Sequence, residues 1–224
     1  MQLSSGRTPL LSLGDLREDY KQAEFSQESC QANPFDQFAE WFRQAQAAEL
    51  KEPNAMSLAT ATTFGKPSNR VVLLKEMDQQ GFTFYTSYRS RKAQELEANP
   101  YCALTFLWAE LERQVRVEGR AEKVSRERSQ LYFQSRPKGS RLGALVSDQS
   151  RVLPSRQPLI DRLAELEAAY ADSDDVPLPE NWGGYCVIPY EIEFWQGRAN
   201  RLHDRLRYRR PKDVEPWVIE RLSP

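Results

Sequence analysis

Histidine occurs once in this chain of 224 residues, at His203, and cysteine three times, at Cys30, Cys102 and Cys186, with no CxxC pair. One imidazole and three scattered thiols cannot build a His-rich or cysteine zinc centre. They supply no disulfide framework, suit a reducing compartment, and leave little room for a hydrolytic triad. GxGxxG and GxxxxGK[ST] are both missing, so a Rossmann or P-loop reading has nothing to stand on. Internal repeats and low-complexity tracts are missing too. The longest early apolar run, Pro9-Leu-Leu-Ser-Leu13, is too short for a signal peptide or a membrane span. Net charge is almost absent, with Lys+Arg 31 against Asp+Glu 32. That balance argues against a protein that coats nucleic acid. The expectation is a soluble, cytoplasmic protein with no metal centre, no membrane association and no nucleic-acid partner.

Within that neutral chain one stretch is strongly basic. Trp195-Gln-Gly-Arg-Ala-Asn-Arg-Leu-His-Asp-Arg205 holds the single histidine and opens a run continuing through Arg207, Arg209, Arg210 and Lys212. Read as a β-strand, it places Arg201, His203, Arg205, Arg207 and Arg209 on one face, with Leu202, Leu206 and Tyr208 opposite. Such a face either meets something anionic or is a solvated edge strand whose charge prevents aggregation.

Along the chain, residues 1–33 are polar and read as a mobile arm, with a short helical turn at 13–20. Asn33 is a candidate N-cap with Pro34 behind it, and Phe35, Phe38, Trp41 and Phe42 form an apolar helical stripe that reads as core. From Met56 the pattern changes to short strands: 56–62, 70–75, 82–86, 101–108 and 114–118, separated by turn residues. This spacing predicts a mainly β domain over 34–224, an antiparallel sheet closing into a barrel with flanking helices.

Ser90 caps a helix whose first turn carries Arg91 and Lys92. Cations there oppose the helix dipole unless an anion is present, so they form a phosphate site or point into water. Helix is expected over 125–136, closed by Pro137, with Tyr132 and Arg136 on one face and Ser140 capping the next helix, 141–146. Together these make a second candidate anion site. A further helix is expected from the cap Ser155, with strands at 185–188, 192–195 and 217–222.

Taken in order, Arg70-Val-Val-Leu-Leu-Lys75, Ser90-Arg-Lys92, Glu112-Arg-Gln114, Tyr132-Phe-Gln-Ser-Arg-Pro137, Phe194-Trp-Gln-Gly197 and Arg201-Leu-His-Asp-Arg205 resemble the pyridoxamine 5′-phosphate oxidase family. The resemblance runs from about residue 52 to the C-terminus. It implies an FMN-binding split β-barrel that forms a homodimer with FMN at the interface. The implied reaction is oxidation of pyridoxamine 5′-phosphate and pyridoxine 5′-phosphate to pyridoxal 5′-phosphate, with O2 as acceptor giving H2O2. By the family pattern FMN is held by Arg70, Val71, Val72, Leu73, Lys75, Tyr85, Thr86, Arg91, Lys92, Gln114, Gln149, Ser150, Trp195 and Arg205. The substrate phosphate meets Lys75, Tyr132, Arg136 and Ser140, and Arg201 and His203 lie over the substrate ring as catalytic residues.

The N-terminal arm departs from the pattern. Arg17-Glu-Asp-Tyr20 stands where the family often has Arg-Arg-Glu-Tyr followed by Gly-Gly-Leu, so Arg17 and Tyr20 remain as substrate contacts of a lid while the second arginine and the glycines are gone. Glu52 replaces a common aspartate. The competing reading is a non-catalytic split-barrel FMN-binding protein, which has no need of Tyr132, Arg136, Ser140, Arg201 and His203.

Overall fold

The computed structural model describes residues 24–210 and 216–224. Helix α1 (Pro34–Ala47) begins where the sequence signals it: the Asn33 side chain accepts from the Phe35 N–H at 2.9 Å, with Pro34 next. Strands β1 (Ala55–Ala61), β2 (Pro67–Leu73), β3 (Glu76–Met77) and β4 (Phe82–Ser87) follow, then helix α2 (Arg91–Ala98), β5 (Tyr101–Trp108) and β6 (Arg113–Lys123). Helices α3 (Arg126–Ser135), α4 (Lys138–Val146) and α5 (Gln157–Ala169) come next, then β7 (Trp182–Gln196), β8 (Asp204–Arg209) and β9 (Val218–Arg221).

Among the described residues the nine strands form one antiparallel sheet in the order β2-β1-β5-β6-β7-β4-β3, with β8 on β7 and β9 on β8. The aromatic stripe of α1 fills its concave face. Phe38 lies 4.9 Å from Phe106 and 5.0 Å from Phe82, and Trp41 is edge-on to Phe194 at 5.2 Å. Burying each such ring contributes about 2–3 kcal/mol. A second, smaller core of Phe133, Leu142, Leu166, Val176, Leu178 and Trp182 packs α3, α4 and α5 beside the sheet.

Strand β7 is the organising element, and it corrects the expectation of two strands at 185–188 and 192–195. It is one strand of 15 residues. One edge pairs with β6, while the other pairs with β4 over 182–187 and with β8 over 191–196. The change of partner falls at Pro189, which has no N–H to donate, and the β6 register shifts between Glu118 and Gly119 opposite it. Gly119 is required there, since a Cβ would lie 2.4 Å from the Ile188 carbonyl oxygen.

Four local expectations change. The arm read as mobile through residue 33 is held from residue 24 onward: Phe25 is buried 4.9 Å from Trp41, and its N–H donates to Asp204. Ser140 does not cap α4. Pro137, extended at ψ 143, starts that helix at Lys138, which leaves Ser140 in its first turn. Ser155 lies just outside α5, whose cap position is Arg156. The basic strand starts at Asp204, so Arg201 and His203 are not on it, and a short 3-10 turn over 199–201 with Asn200 and Arg201 at φ +57° and +60° carries the chain into it. No helix among the described residues is long and apolar enough to cross a membrane.

Candidate active site

The site residues expected from sequence fall into two groups at opposite ends of β7. The first gathers at the head of α2. Ser90 Oγ accepts from the Ala93 N–H, and the Arg91 N–H donates to Ser150 Oγ at 3.2 Å. Lys92 Nζ donates to Gln149 Oε1 at 2.9 Å and to Thr86 Oγ1 at 3.2 Å. These contacts latch the 147–151 turn onto the helix, with Ser150 held at φ +74°, a left-handed conformation that costs a non-glycine residue about 1 kcal/mol. From β2, Arg70 reaches Glu95 at 3.3 Å, and Arg91 meets the same carboxylate at 2.8 Å.

Two of the three cations therefore share one buried anion, while the acceptors around Lys92 are neutral. Burial, then the nearby Arg70 charge, pushes the Lys92 ammonium down to about 8. Neither basic side chain simply points into water. The remaining β2 positions are placed differently, with Val71 exposed and Val72 packed against the core.

Tyr132 on α3 and Arg136 at its C-cap both face Trp182. The Arg136 guanidinium lies 4.8 Å over the Trp182 ring, and its Nη1 is buried without a hydrogen-bond partner. Burial lowers its pKa and raises that of the Tyr132 phenol. A cleft of about 300 Å³ is lined by Arg136, Ser140, Gln149, Ser87 and Trp182. It joins the second anion site to the loop that holds Lys92. Lys75 is not in it; Lys75 lines a separate cleft with Phe38, Phe42, Leu74 and Met77. The Tyr85 ring stacks on Tyr132 at 3.9 Å, and its hydroxyl donates to Glu76 at 2.6 Å.

The second group lies at the other end of β7. Gln114, Trp195 and Arg205 stand directly opposite one another on β6, β7 and β8, and so share a sheet face. The His203 ring is 4.5 Å from that of Trp195. His203 Nδ1 accepts from the Arg198 N–H at 3.1 Å, which in the neutral ring leaves the proton on Nε2. Burial and the Arg201 charge lower its pKa. The anions expected opposite the basic strand are in part the chain's own: Arg205 meets Glu193 at 2.7 Å, and Arg207 meets Glu220 at 2.7 Å. Arg17 and Tyr20 lie outside the described residues.

Residues 42–169 match the family model described as pyridoxamine 5′-phosphate oxidase. The chain belongs to the pyridoxamine 5′-phosphate oxidase family. Residues 182–224 match the model of the pyridoxine 5′-phosphate oxidase C-terminal dimerisation region, which covers β7, β8 and β9. Similar curated oxidases, each a pyridoxine/pyridoxamine 5′-phosphate oxidase, include one from Salinibacter ruber, 54% identical over 95% of this chain and 99% of its own. Another, from Paraburkholderia phytofirmans, is 52% identical over 96% and 100%. Among solved structures, PhzG from Burkholderia lata in complex with tetrahydrophenazine-1-carboxylic acid superposes with a TM-score of 0.83. It is 31% identical and covers 88% of this chain and 95% of its own.

For this oxidase-family chain, sequence reasoning passed over four residues that organise the site: Glu95, Trp182, Glu193 and Glu76. Glu95 left a legible signal, since it lies four residues after Arg91 on one helix face. The other three act through strand pairing and packing over long sequence distances.

Proposed function

We propose that the chain is an FMN-dependent oxidase that converts pyridoxamine 5′-phosphate and pyridoxine 5′-phosphate to pyridoxal 5′-phosphate, working as a cytoplasmic homodimer. The observation that carries this reading is a cleft lined by Arg136, with its unpartnered Nη1, and by Gln149, behind which the desolvated Lys92 is held amid neutral acceptors. Both cations fit groups that bear a phosphate.

When bound, FMN would supply the two-electron acceptor for oxidation at C4′ of the substrate, with O2 as the final acceptor giving H2O2. Arg91 and Lys92 hold the cofactor phosphate, with Arg70, Thr86, Gln149 and Ser150 around it and Val71, Val72, Leu73, Lys75 and Tyr85 along the approach. Tyr132, Arg136 and Ser140 hold the substrate phosphate. Gln114, Trp195, Arg205, Arg201 and His203 belong to the other end of β7, roughly 40 Å of extended strand away. A second copy brings them to the same pocket, in keeping with the dimerisation-region match. His203 and Arg201 lie over the substrate ring. His203, with Nδ1 held by the Arg198 N–H, hydrogen-bonds through Nε2 the amine or alcohol that loses its proton, while Arg201 stays cationic. Arg17 and Tyr20, which lie outside the described residues, are assigned as further substrate contacts. Little other acid–base work is asked of the protein, which mainly orients ring on ring.

The test is the visible spectrum of the purified protein after FMN loading, followed by anaerobic addition of pyridoxamine 5′-phosphate. Flavin bands that bleach and return with air are expected. Bands that persist would favour the non-catalytic binder, and absence of any flavin binding would overturn the proposal.

A further inference from the structure

Glu76 lines the separate cleft that holds Lys75, and it reaches the substrate side through its bond to the Tyr85 hydroxyl. It stands on β3 directly opposite Thr83 of β4. One carboxylate oxygen accepts from the Tyr85 hydroxyl at 2.6 Å, and the other accepts from Arg128 Nε at 2.7 Å. Arg128, in the first turn of α3, is anchored again by Asp78 at 3.1 Å. A carboxylate held from two sides is fixed in orientation, and a short charge-assisted bond to the phenol transfers that orientation to the Tyr85 ring.

The ring belongs to a near-parallel trio in which Tyr132 and Trp182 also lie 6.2 Å apart at 4°. Tyr132 stacks on it at 3.9 Å and 15°, and Trp182 at 5.5 Å and 11°. Arg136 sits over the Trp182 ring in turn. Tyr132 and Arg136, two of the residues assigned to the substrate phosphate, therefore both rest on rings whose tilt is set from Glu76.

We infer that Glu76 is a positioning residue: through the Tyr85 hydroxyl it fixes the Tyr85–Tyr132–Trp182 ring stack and thereby aims Tyr132 and Arg136 at the phosphate of the substrate. The inference rests on the proposed function for the identity of the substrate, and the ring geometry stands without it. Glu76 touches neither reacting atoms nor cofactor, so its loss changes affinity for the phosphate-bearing substrate and leaves the chemical step alone.

The experiment compares the FMN-loaded parent with Glu76→Ala and Glu76→Gln. Glu76→Ala is expected to raise KM for pyridoxamine 5′-phosphate roughly three- to tenfold, the worth of one lost hydrogen bond, with kcat within about twofold. Glu76→Gln keeps an acceptor for the Tyr85 hydroxyl and is expected to recover most of that loss. The near-ultraviolet circular dichroism of the stacked rings should change in Glu76→Ala and return in Glu76→Gln. An unchanged KM in Glu76→Ala, a parallel fall of kcat, or no rescue by glutamine would overturn the assignment. If the parent shows no turnover, the proposed function fails by itself. In that event the ring dichroism, together with a calorimetric titration of inorganic phosphate into parent and Glu76→Ala, still decides the role of Glu76: equal phosphate affinity and equal dichroism would overturn it.

Discussion

Arg70 on β2 and Glu95 on α2 meet at 3.3 Å across an interval of 25 residues, and the Glu95 side chain is only 6% exposed. The same carboxylate holds Arg91 and accepts from the Thr60 hydroxyl. One buried anion thus gathers two cations from separate elements to the rim of the proposed cofactor phosphate site. Burial works to raise the Glu95 pKa, but the Thr60 hydrogen bond and the two arginines outweigh it, and the net shift is downward.

Glu95→Gln is therefore expected to weaken FMN binding about fivefold and to lower stability near neutral pH by about 1–2 kcal/mol. Because the folded pKa is depressed, this contribution is complete above the unfolded value of about 4.3 and fades as pH falls through the folded value. Urea denaturation of parent and variant from pH 7 to 3 checks this. The gap between them should narrow below about pH 4.

Lys92 gives the opposite sign. Its pKa of about 8 in the ligand-free protein means that the protonated form is disfavoured by the fold. A bound phosphate dianion reverses that preference, so binding takes up a proton once the pH exceeds 8. FMN affinity, followed by quenching of flavin fluorescence, is expected to fall by up to about tenfold per pH unit between 8 and 9.5. Lys92→Gln should flatten that dependence and stabilise the ligand-free protein by about 1–2 kcal/mol.

His203 predicts a pH profile. With its pKa below the ordinary imidazole value through burial and Arg201, kcat/KM should rise through an acid limb lying below about 6.5. Arg201→Gln should move that limb upward as well as slow turnover. His203→Ala should lose about a hundredfold in kcat. Near-normal turnover in both Arg201→Ala and His203→Ala with FMN bound would remove the two residues from the catalytic assignment.

Arg136 carries a penalty that its ligand is expected to relieve. Its buried Nη1 lacks a partner in the ligand-free chain. Arg136→Gln should raise KM for pyridoxamine 5′-phosphate at least about tenfold without lowering the unfolding temperature of the ligand-free protein. Inorganic phosphate should raise that temperature in the parent and leave the variant unmoved.

Gly119 tests the sheet rather than the site. A methyl group there meets the Ile188 carbonyl at 2.4 Å, and Gly119→Ala is expected to cost about 2–4 kcal/mol in urea denaturation.

Signals that act within one turn of chain were legible in the sequence. Asn33 and Ser90 cap where a polar oxygen precedes an apolar period, and the Phe35–Trp41 stripe packs as core because its spacing leaves no other face for it. The barrel followed from short strands with turn residues between them. What escaped depends on partners distant in sequence. Glu193 neutralises Arg205 because β7 and β8 pair in one register, and no local pattern reveals which carboxylate stands opposite which guanidinium. The gap expected between 188 and 192 is instead a change of partner at Pro189, since a proline without an N–H suits the point where β4 gives way to β8. Among the site residues, Lys92, Gln149 and Thr86 come together in the structure as a direct cluster, whereas Lys75 and Arg136 line different clefts of one chain.

The length of β7 reaches beyond the single molecule. Its two ends carry lesions independently: Lys92→Gln damages one half-site and His203→Ala the other. In a dimer whose pockets each take one end from each chain, a mixed pair of these variants concentrates both lesions in one pocket and leaves the other intact. Two alleles that are each inactive alone should then complement in the same cell. Random reassociation of equal amounts would restore about a quarter of the pockets.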